Sequence, residues 1–253
     1  MAKRNTQQRR RLIIEQLNSS GELKVDQLAQ QFNTSEVTIR KDLAELEENG
    51  LLLRRYGGAV PLPSELLIET NEQEVSKRKK LIAAAAAKLI KDHHRIILDS
   101  GSTTAALIPE LSAKQGLVVM TNSLSIAASL RELENEPVLL MTGGTWDPHS
   151  EAFQGKVAEE VLKSYDFDQL FIGADGIDVE RGTTTFNELF GLSRVMADVS
   201  REIIVMAESN KVGRKMHNLE LSWQQVTTLV TDHQIATAER QAIEAQGVQV
   251  ILA

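Results

Sequence analysis

Five short polar stretches in the second half of the chain carry residue types suited to holding a phosphorylated, hydroxyl-rich molecule, and each stands directly behind an apolar run. Behind Ile96-Ile97-Leu98 comes Asp99-Ser100-Gly101-Ser102-Thr103-Thr104, and behind Leu117-Val118-Val119-Met120 comes Thr121-Asn122-Ser123. Val138-Leu139-Leu140-Met141 is followed by Thr142-Gly143-Gly144, and Leu170-Phe171-Ile172 by Gly173-Ala174-Asp175-Gly176. Glu208-Ser209-Asn210-Lys211 stands behind Ile203-Ile204-Val205-Met206. A glycine and hydroxyl loop that feeds a helix can aim backbone N–H groups at an anion, and the helix start adds partial positive charge. Lys211 adds a point charge for a phosphate. Thr183-Thr184-Thr185-Phe186-Asn187-Glu188, read as a loop between the fourth and fifth runs, offers in Asn187 and Glu188 an amide and a carboxylate for sugar hydroxyls. A single polar strand end is ordinary; five of them in register describe a pocket.

The elements that must position these residues follow from the runs themselves. Those five runs, together with Thr228-Leu229-Val230 and Val248-Gln249-Val250-Ile251-Leu252, read as buried strands. Leu124 to Leu133, Val157 to Tyr165 and Glu239 to Gln246 have helical period between them, and the alanine-rich run from Leu81 to Ile90 is strongly helix-forming. Such alternation predicts an α/β domain with a mostly parallel sheet, in which ligands bind outside the carboxyl ends of the strands. The polar stretches stand at those ends.

The first 60 residues show a different chemistry. In Ser35-Glu36-Val37-Thr38-Ile39-Arg40-Lys41-Asp42-Leu43-Ala44-Glu45-Leu46, residues Ile39, Leu43 and Leu46 share one stripe at ~100° per residue, while Val37, Lys41 and Ala44 point away and Thr38 and Arg40 flank them. Ser35 stands where an N-cap belongs and Asn49-Gly50 where the helix must stop. Val25, Leu28, Ala29 and Phe32 make a short helix before it, separated by the tight turn Asn33-Thr34. A helix over Thr6 to about Asn18, with Leu12, Ile13 and Leu17 inward and its arginines outward, braces the pair. Leu51 to Val60 reads as a hairpin around Arg54-Arg55-Tyr56-Gly57-Gly58. Helix, turn, helix and hairpin make a winged helix-turn-helix for duplex DNA. Its expected contacts are Ser35, Val37, Thr38, Arg40, Lys41, Arg54, Arg55 and, on the phosphate backbone, Arg9.

Charge is divided in keeping with that reading. The chain as a whole carries −7, but residues 1–60 hold 10 basic against 8 acidic residues, so the acidity belongs to the remainder. A chain of 253 residues suits one or two domains. Absence of cysteine excludes disulfides, thiolate metal sites and cysteine nucleophiles. No apolar run approaches the ~18 residues of a membrane span, so a cytoplasmic protein without a membrane partner is expected. His93, His94, His149, His217 and His233 lack ligand spacing, so neither a metal nor a cofactor is expected.

Thr38-Ile39-Arg40-Lys41-Asp42-Leu43, Leu46-Glu47, Asn49-Gly50 and Arg54-Arg55-Tyr56-Gly57-Gly58-Ala59 together resemble the signature of the DeoR family of bacterial sugar-operon regulators. Asp99 to Thr104, Thr121 to Ser123, Gly143-Gly144, Gly173 to Asp178, Thr185 to Glu188 and Ser209 to Lys211 resemble the effector-domain motifs of the same family. The resemblance spans essentially the whole chain and implies an effector domain similar in fold to ribose-5-phosphate isomerase, with a phosphorylated sugar or polyol as effector. Within the family, the sequence looks nearest to regulators of hexitol or amino-sugar uptake operons.

The expected organisation is a DNA-binding domain over residues 1–60, a linker over 61–80 and an effector domain over 81–253. Pro61-Leu62-Pro63-Ser64 breaks regular structure, and Ser76-Lys77-Arg78-Lys79-Lys80 is either a backbone-contacting run or a solvated helix start. The expected function is a repressor, paired as a dimer or tetramer on operator DNA and relieved by its effector. An isomerase fused to a DNA-binding module, with Asp99, Asp175 or Glu188 as general base, is the alternative. A non-specific DNA-binding scaffold would leave the strand-end motifs unexplained.

Overall fold

The computed structural model describes residues 9–10, 12–13, 16–17, 23–48, 52–55, 57–60, 77–148, 150–185, 191–216 and 218–253, which divide into two compact units, Met1–Glu74 and Val75–Ala253. In the first unit, β1 (Leu23–Lys24) leads into a helix over Val25–Gln31, and a tight turn through Asn33, at φ 47°, leads into the helix Glu36–Glu48. β2 (Leu53–Arg55) and β3 (Gly58–Val60) form the hairpin, and β1 adds to β3 so that the small antiparallel sheet runs β1-β3-β2. Ile13, Leu17, Leu28, Ile39, Leu43, Leu46 and Leu52 bury together, each such side chain contributing about 1.5–3 kcal/mol. This is the winged helix-turn-helix expected from periodicity. Leu12 departs from expectation: it is 43% exposed, because Ile13 and Leu17 alone of that helix's described apolar residues turn inward. The stop at Asn49-Gly50 lies outside the described residues.

The first described element of the second unit is a helix over Lys77–Ala87, so the basic run 77–80 is the helix start weighed above. β4 (Arg95–Leu98), β5 (Val118–Thr121), β6 (Val138–Met141), a hairpin of β7 (Thr145–Asp147) and β8 (Ala152–Gln154), and β9 (Phe167–Ile172) follow. Then come β10 (Gly176–Asp178), β11 (Gly182–Thr185), β12 (Ser200–Met206), β13 (Asn218–Ser222), β14 (Thr228–Thr231) and β15 (Gln249–Leu252). All seven apolar runs are strands of one sheet, ordered β15-β14-β12-β9-β4-β5-β6, and every neighbouring pair is parallel. Ile96 and Leu98 enter one core while Ile97 enters the other, and Ile204 and Met206 likewise oppose Ile203 and Val205. The inner strands of this sheet are largely buried on both faces, which is why they read as unbroken apolar runs, whereas the edge strand β6 is only partly covered, with Val138 57% exposed.

A second sheet, β10-β11-β13, is antiparallel and was not legible as such. Thr183, Thr184 and Thr185, read above as the start of a loop, are buried strand residues of β11. Threonine fits a pleated surface, and each hydroxyl here finds a partner: Glu220 for Thr183, the Arg214 carbonyl for Thr184 and Asp175 for Thr185. At Gly182, φ +135°, a Cβ would lie 2.0 Å from the Leu221 carbonyl oxygen, so only glycine closes this pair. Among the described residues, no helix is long and apolar enough to cross a membrane.

Candidate functional site

The first candidate surface is the helix Glu36–Glu48 with the wing. The Thr38 N–H donates to Ser35 Oγ at 3.2 Å, satisfying one donor of the first turn. Val37 is 59% exposed and Lys41 is exposed, while Ile39, Leu43 and Leu46 are buried. Arg40 pairs with Glu36 at 2.7 Å, both side chains at least half exposed. Such a pair is worth only about 0.2–0.5 kcal/mol, so trading it for a nucleic-acid contact costs little. The Arg54 backbone N–H donates to Glu47 Oε1 at 2.8 Å and its Nε lies 3.5 Å from the same carboxylate, fixing the wing against the helix. Arg55 pairs with Gly58 through the backbone of the wing.

Arg9 is placed differently from expectation. Its Nε donates to Asp42 at 2.6 Å, Arg10 Nε donates to the other oxygen at 2.9 Å, and Arg10 also pairs with Glu45. Asp42 is 2% exposed, and a buried carboxylate demands such partners. Arg9 therefore fastens the first helix to the reading helix instead of lying on the outer face.

The second candidate surface is the carboxyl edge of the seven-stranded sheet, where all five polar stretches meet. Asn122 ties two of them: its Nδ2 donates to Asp99 Oδ1 at 2.8 Å, its Oδ1 accepts the Ser100 N–H at 3.0 Å, and its carbonyl accepts the Phe153 N–H. Asn122 is itself buried. Thr104 donates to the Gly101 carbonyl, Thr121 accepts the Ser123 N–H, and Ser123 caps the helix Leu124–Leu130 through Ile126. Thr104, Thr121 and Ser123 are buried, and their hydroxyls brace the loops from within. Gly176 is also buried, its missing side chain making room for the Arg214 carbonyl oxygen, which a Cβ would meet at 2.6 Å. Gly101, Ser102, Thr103, Gly143, Gly144, Asp175 and Lys211 retain exposure at this edge. Asn187 and Glu188 lie outside the described residues. The helix after Gly101 spans only Ser102–Ala105, so its axial charge is that of one turn and the hydroxyls and cations matter more.

Two groups at this edge escaped the sequence reading. Lys79 Nζ donates to Ser102 Oγ at 2.7 Å. Glu220, on β13, accepts from Ser193 at 2.7 Å and from Thr183 at 3.2 Å. Burial pushes its carboxyl up to about 8, with the charges of Asp99 and Asp175 adding to the effect against those two hydrogen bonds. Burial likewise raises Asp99 to about 6, opposed by hydrogen bonds from Asn122 and Ser100 and helped by Asp175. Near neutrality the cluster thus pairs a protonated Glu220 with a largely ionised Asp99. Together they offer a hydrogen-bond donor beside acceptors, which suits a polyol. A phosphate is repelled from these acids and attracted toward Lys79 and Ser102. The sequence signals were present: Asn218-Leu219-Glu220-Leu221-Ser222 alternates as a strand, and Lys79 shares the stripe of Ile82, Ala83 and Ala86.

A separate cleft, lined by Arg95, Lys163, Tyr165, Asp168 and Arg201, lies at the opposite, amino-terminal edge of the sheet. Its cations are already engaged: Arg95 Nε donates to the Asp166 carbonyl at 3.1 Å, Lys163 pairs with Glu160, and Arg201 pairs with Asp168, which also accepts the Arg95 backbone N–H. Among the described residues no group of acids and histidines could hold a metal ion.

Residues 9–65 match the family described as DeoR-like helix-turn-helix domain, and residues 74–233 match DeoR C terminal sensor domain. A putative aga operon transcriptional repressor from Escherichia coli O157:H7 is 38% identical, covering 98% of this chain and 94% of that protein. The HTH-type transcriptional regulator GlpR of Haloferax volcanii is 32% identical over 96% of each. Among solved structures, D-ribose-5-phosphate isomerase in complex with phospho-erythronic acid overlaps 60% of this chain and 58% of that one, at 19% identity and a TM-score of 0.41. The relatives that match end to end are regulators, and the isomerase alternative falls with them. With a reading helix and wing in one unit, a sensor domain in the other and both family matches in sequence order, the chain belongs to the DeoR family and is a transcriptional regulator, not an enzyme.

Proposed function

We propose that this protein represses a sugar or polyol utilisation operon, and that a phosphorylated sugar or polyol bound at the carboxyl edge of the large sheet releases it from operator DNA. The observation that carries the reading is the division of that edge. Ser102, Thr103, Lys79 and Lys211 supply hydroxyls and positive charge for a phosphate, while Asp99, Asp175 and Glu220 supply donors and acceptors for hydroxyls. Lys41, Arg40 and Val37 read base edges in the major groove, and Ser35, Thr38, Arg54 and Arg55 hold the backbone. The DNA-binding domain is taken as residues 1–60, joined by 61–80 to an effector domain over 81–253. Modules of this kind pair half-sites about 34 Å apart, so the working form is a dimer or tetramer, acting in the cytoplasm and needing no cofactor. The repressors of an aga operon and of the AccR type among the relatives support the repressing sense.

The experiment is a thermal midpoint of the full-length protein against a panel of hexose, hexitol and pentose phosphates and their unphosphorylated parents. A ligand that binds only the folded state at a hundred times its Kd adds about 2.7 kcal/mol. A shift with one or a few phosphorylated members is expected. No shift with any of them overturns the effector class.

A further inference from the structure

The helix Glu36–Glu48 carries a carboxylate as well as cations on its exposed face. Glu36 Oε2 accepts from Arg40 Nη2 at 2.7 Å, one helical turn away, and the two side chains are 50% and 61% exposed. Other acids of this helix bind arginines of neighbouring elements: Asp42 holds Arg9 and Arg10, Glu45 holds Arg10, and Glu47 holds Arg54 of the wing. Those bonds fasten the helix within its unit, whereas the bond between Glu36 and Arg40 lies inside the helix itself. Capping falls to Ser35, whose Oγ accepts the Thr38 N–H at 3.2 Å. Val37, the next residue after Glu36, is 59% exposed.

The first residues of a reading helix are the ones that meet base edges, and a carboxylate placed there faces phosphates of its own sign. In the major groove cytosine offers that carboxylate a donor, its N4 amino group, while guanine offers arginine the acceptors O6 and N7. A carboxylate has several acceptor sites and a guanidinium several donors, so Glu36 and Arg40 can hold each other and a base edge at once. We propose that Glu36 selects cytosine in the operator by accepting from its N4 amino group, with Arg40 beside it as the compensating charge. The proposal rests on the reading of this helix as the major-groove element and adds to it the acid that rejects other sequences. Because Glu36 repels the duplex wherever no cytosine meets it, its removal acts in opposite directions on chosen and on random DNA. A carboxylate that merely supported the helix start would act on both alike, through stability.

The test selects preferred sites from a random duplex library with full-length wild type, Glu36→Ala and Lys41→Ala, then titrates the wild-type site, its single-pair variants and random duplex. Glu36→Ala is expected to lose its preference at one C·G pair, where wild type discriminates by roughly fivefold to a hundredfold. It should bind random duplex at least as tightly as wild type does. A duplex carrying 2-pyrimidinone, which lacks the amino group, in place of that cytosine should weaken wild type by a similar factor and leave Glu36→Ala unchanged. This measurement on the DNA side also decides the matter for wild type alone should the variant fold poorly: undiminished binding contradicts the proposal. A Glu36→Ala profile identical to wild type, relaxation at a pair other than C·G, or an equal loss on chosen and random duplexes overturns the role of Glu36. If Lys41→Ala still relaxes another position in that case, the reading of the helix stands without Glu36. If no variant changes the profile, the reading of the helix falls and the proposal with it.

Discussion

Asn122 donates its amide to the Asp99 carboxylate at 2.8 Å while the oxygen of the same amide accepts the Ser100 N–H at 3.0 Å. One buried side chain at the end of β5 thereby shapes the loop behind β4, which carries the Ser102 hydroxyl. Asn122→Ala leaves a carboxylate and a backbone N–H without these partners. The expected cost is about 2–4 kcal/mol in urea denaturation, with a weaker effector response. A change below about half a kcal/mol would show that the loop holds its shape without the amide.

Glu220 gives the protein a pH dependence of defined sign. Its carboxyl stands at about 8 in the fold against an ordinary value of 4.5, chiefly because it is buried and then because Asp99 and Asp175 face it. Between those values the folded state holds a proton that the unfolded state has lost, so its contribution is full below about pH 4.5 and declines as pH rises toward 8. Glu220→Gln should remove this decline, at most about 1.4 kcal/mol per pH unit. Midpoints measured from pH 5 to pH 9 check it: the variant should gain on wild type as pH rises, and parallel curves would exclude a protonated Glu220.

Arginine and lysine in the first unit separate by mechanism. Arg9→Ala breaks one of two contacts to the buried Asp42 and should lower stability by about 1–3 kcal/mol. Lys41→Ala changes an exposed side chain, so its midpoint should stay within about half a kcal/mol. Its operator affinity should fall by about 1–3 kcal/mol with relaxed preference at one position. Melting curves beside operator titrations distinguish the two, and an unstable Lys41→Ala would contradict this division.

The large sheet was legible because burial on both faces makes its inner strands continuous apolar runs, and Ile96 to Leu98 or Ile203 to Met206 admit no other reading. The small sheet was not, because Gly182 to Thr185 is held by hydroxyl partners and glycine closeness that emerge only when β10 and β13 are in place. The loops of the site were legible as strand ends, but not which of their residues face outward. Thr104, Thr121 and Ser123 are plain strand-end hydroxyls in sequence, and the bonds by which they cap and brace the loops emerge only in space. Glu220 lies far along the chain from Asp99, and only the fold brings its carboxyl into that field. The bond between Arg9 and Asp42 was not legible either, because the two stand 33 residues apart.

Ser102→Leu fills the space beside Lys79 without touching the reading helix, and Lys211→Met removes a cation from the same edge. Both variants should bind operator as wild type does and be insensitive to effector. The most direct measurement is an operator titration of wild type and Ser102→Leu with and without the phosphorylated sugar that stabilises wild type. Coupling between sites is typically about 1–3 kcal/mol, so wild type should lose roughly fivefold to a hundredfold in operator affinity and Ser102→Leu nothing. A wild type whose operator affinity ignores every bound sugar phosphate, or a Ser102→Leu that responds at the wild-type midpoint, would contradict the account.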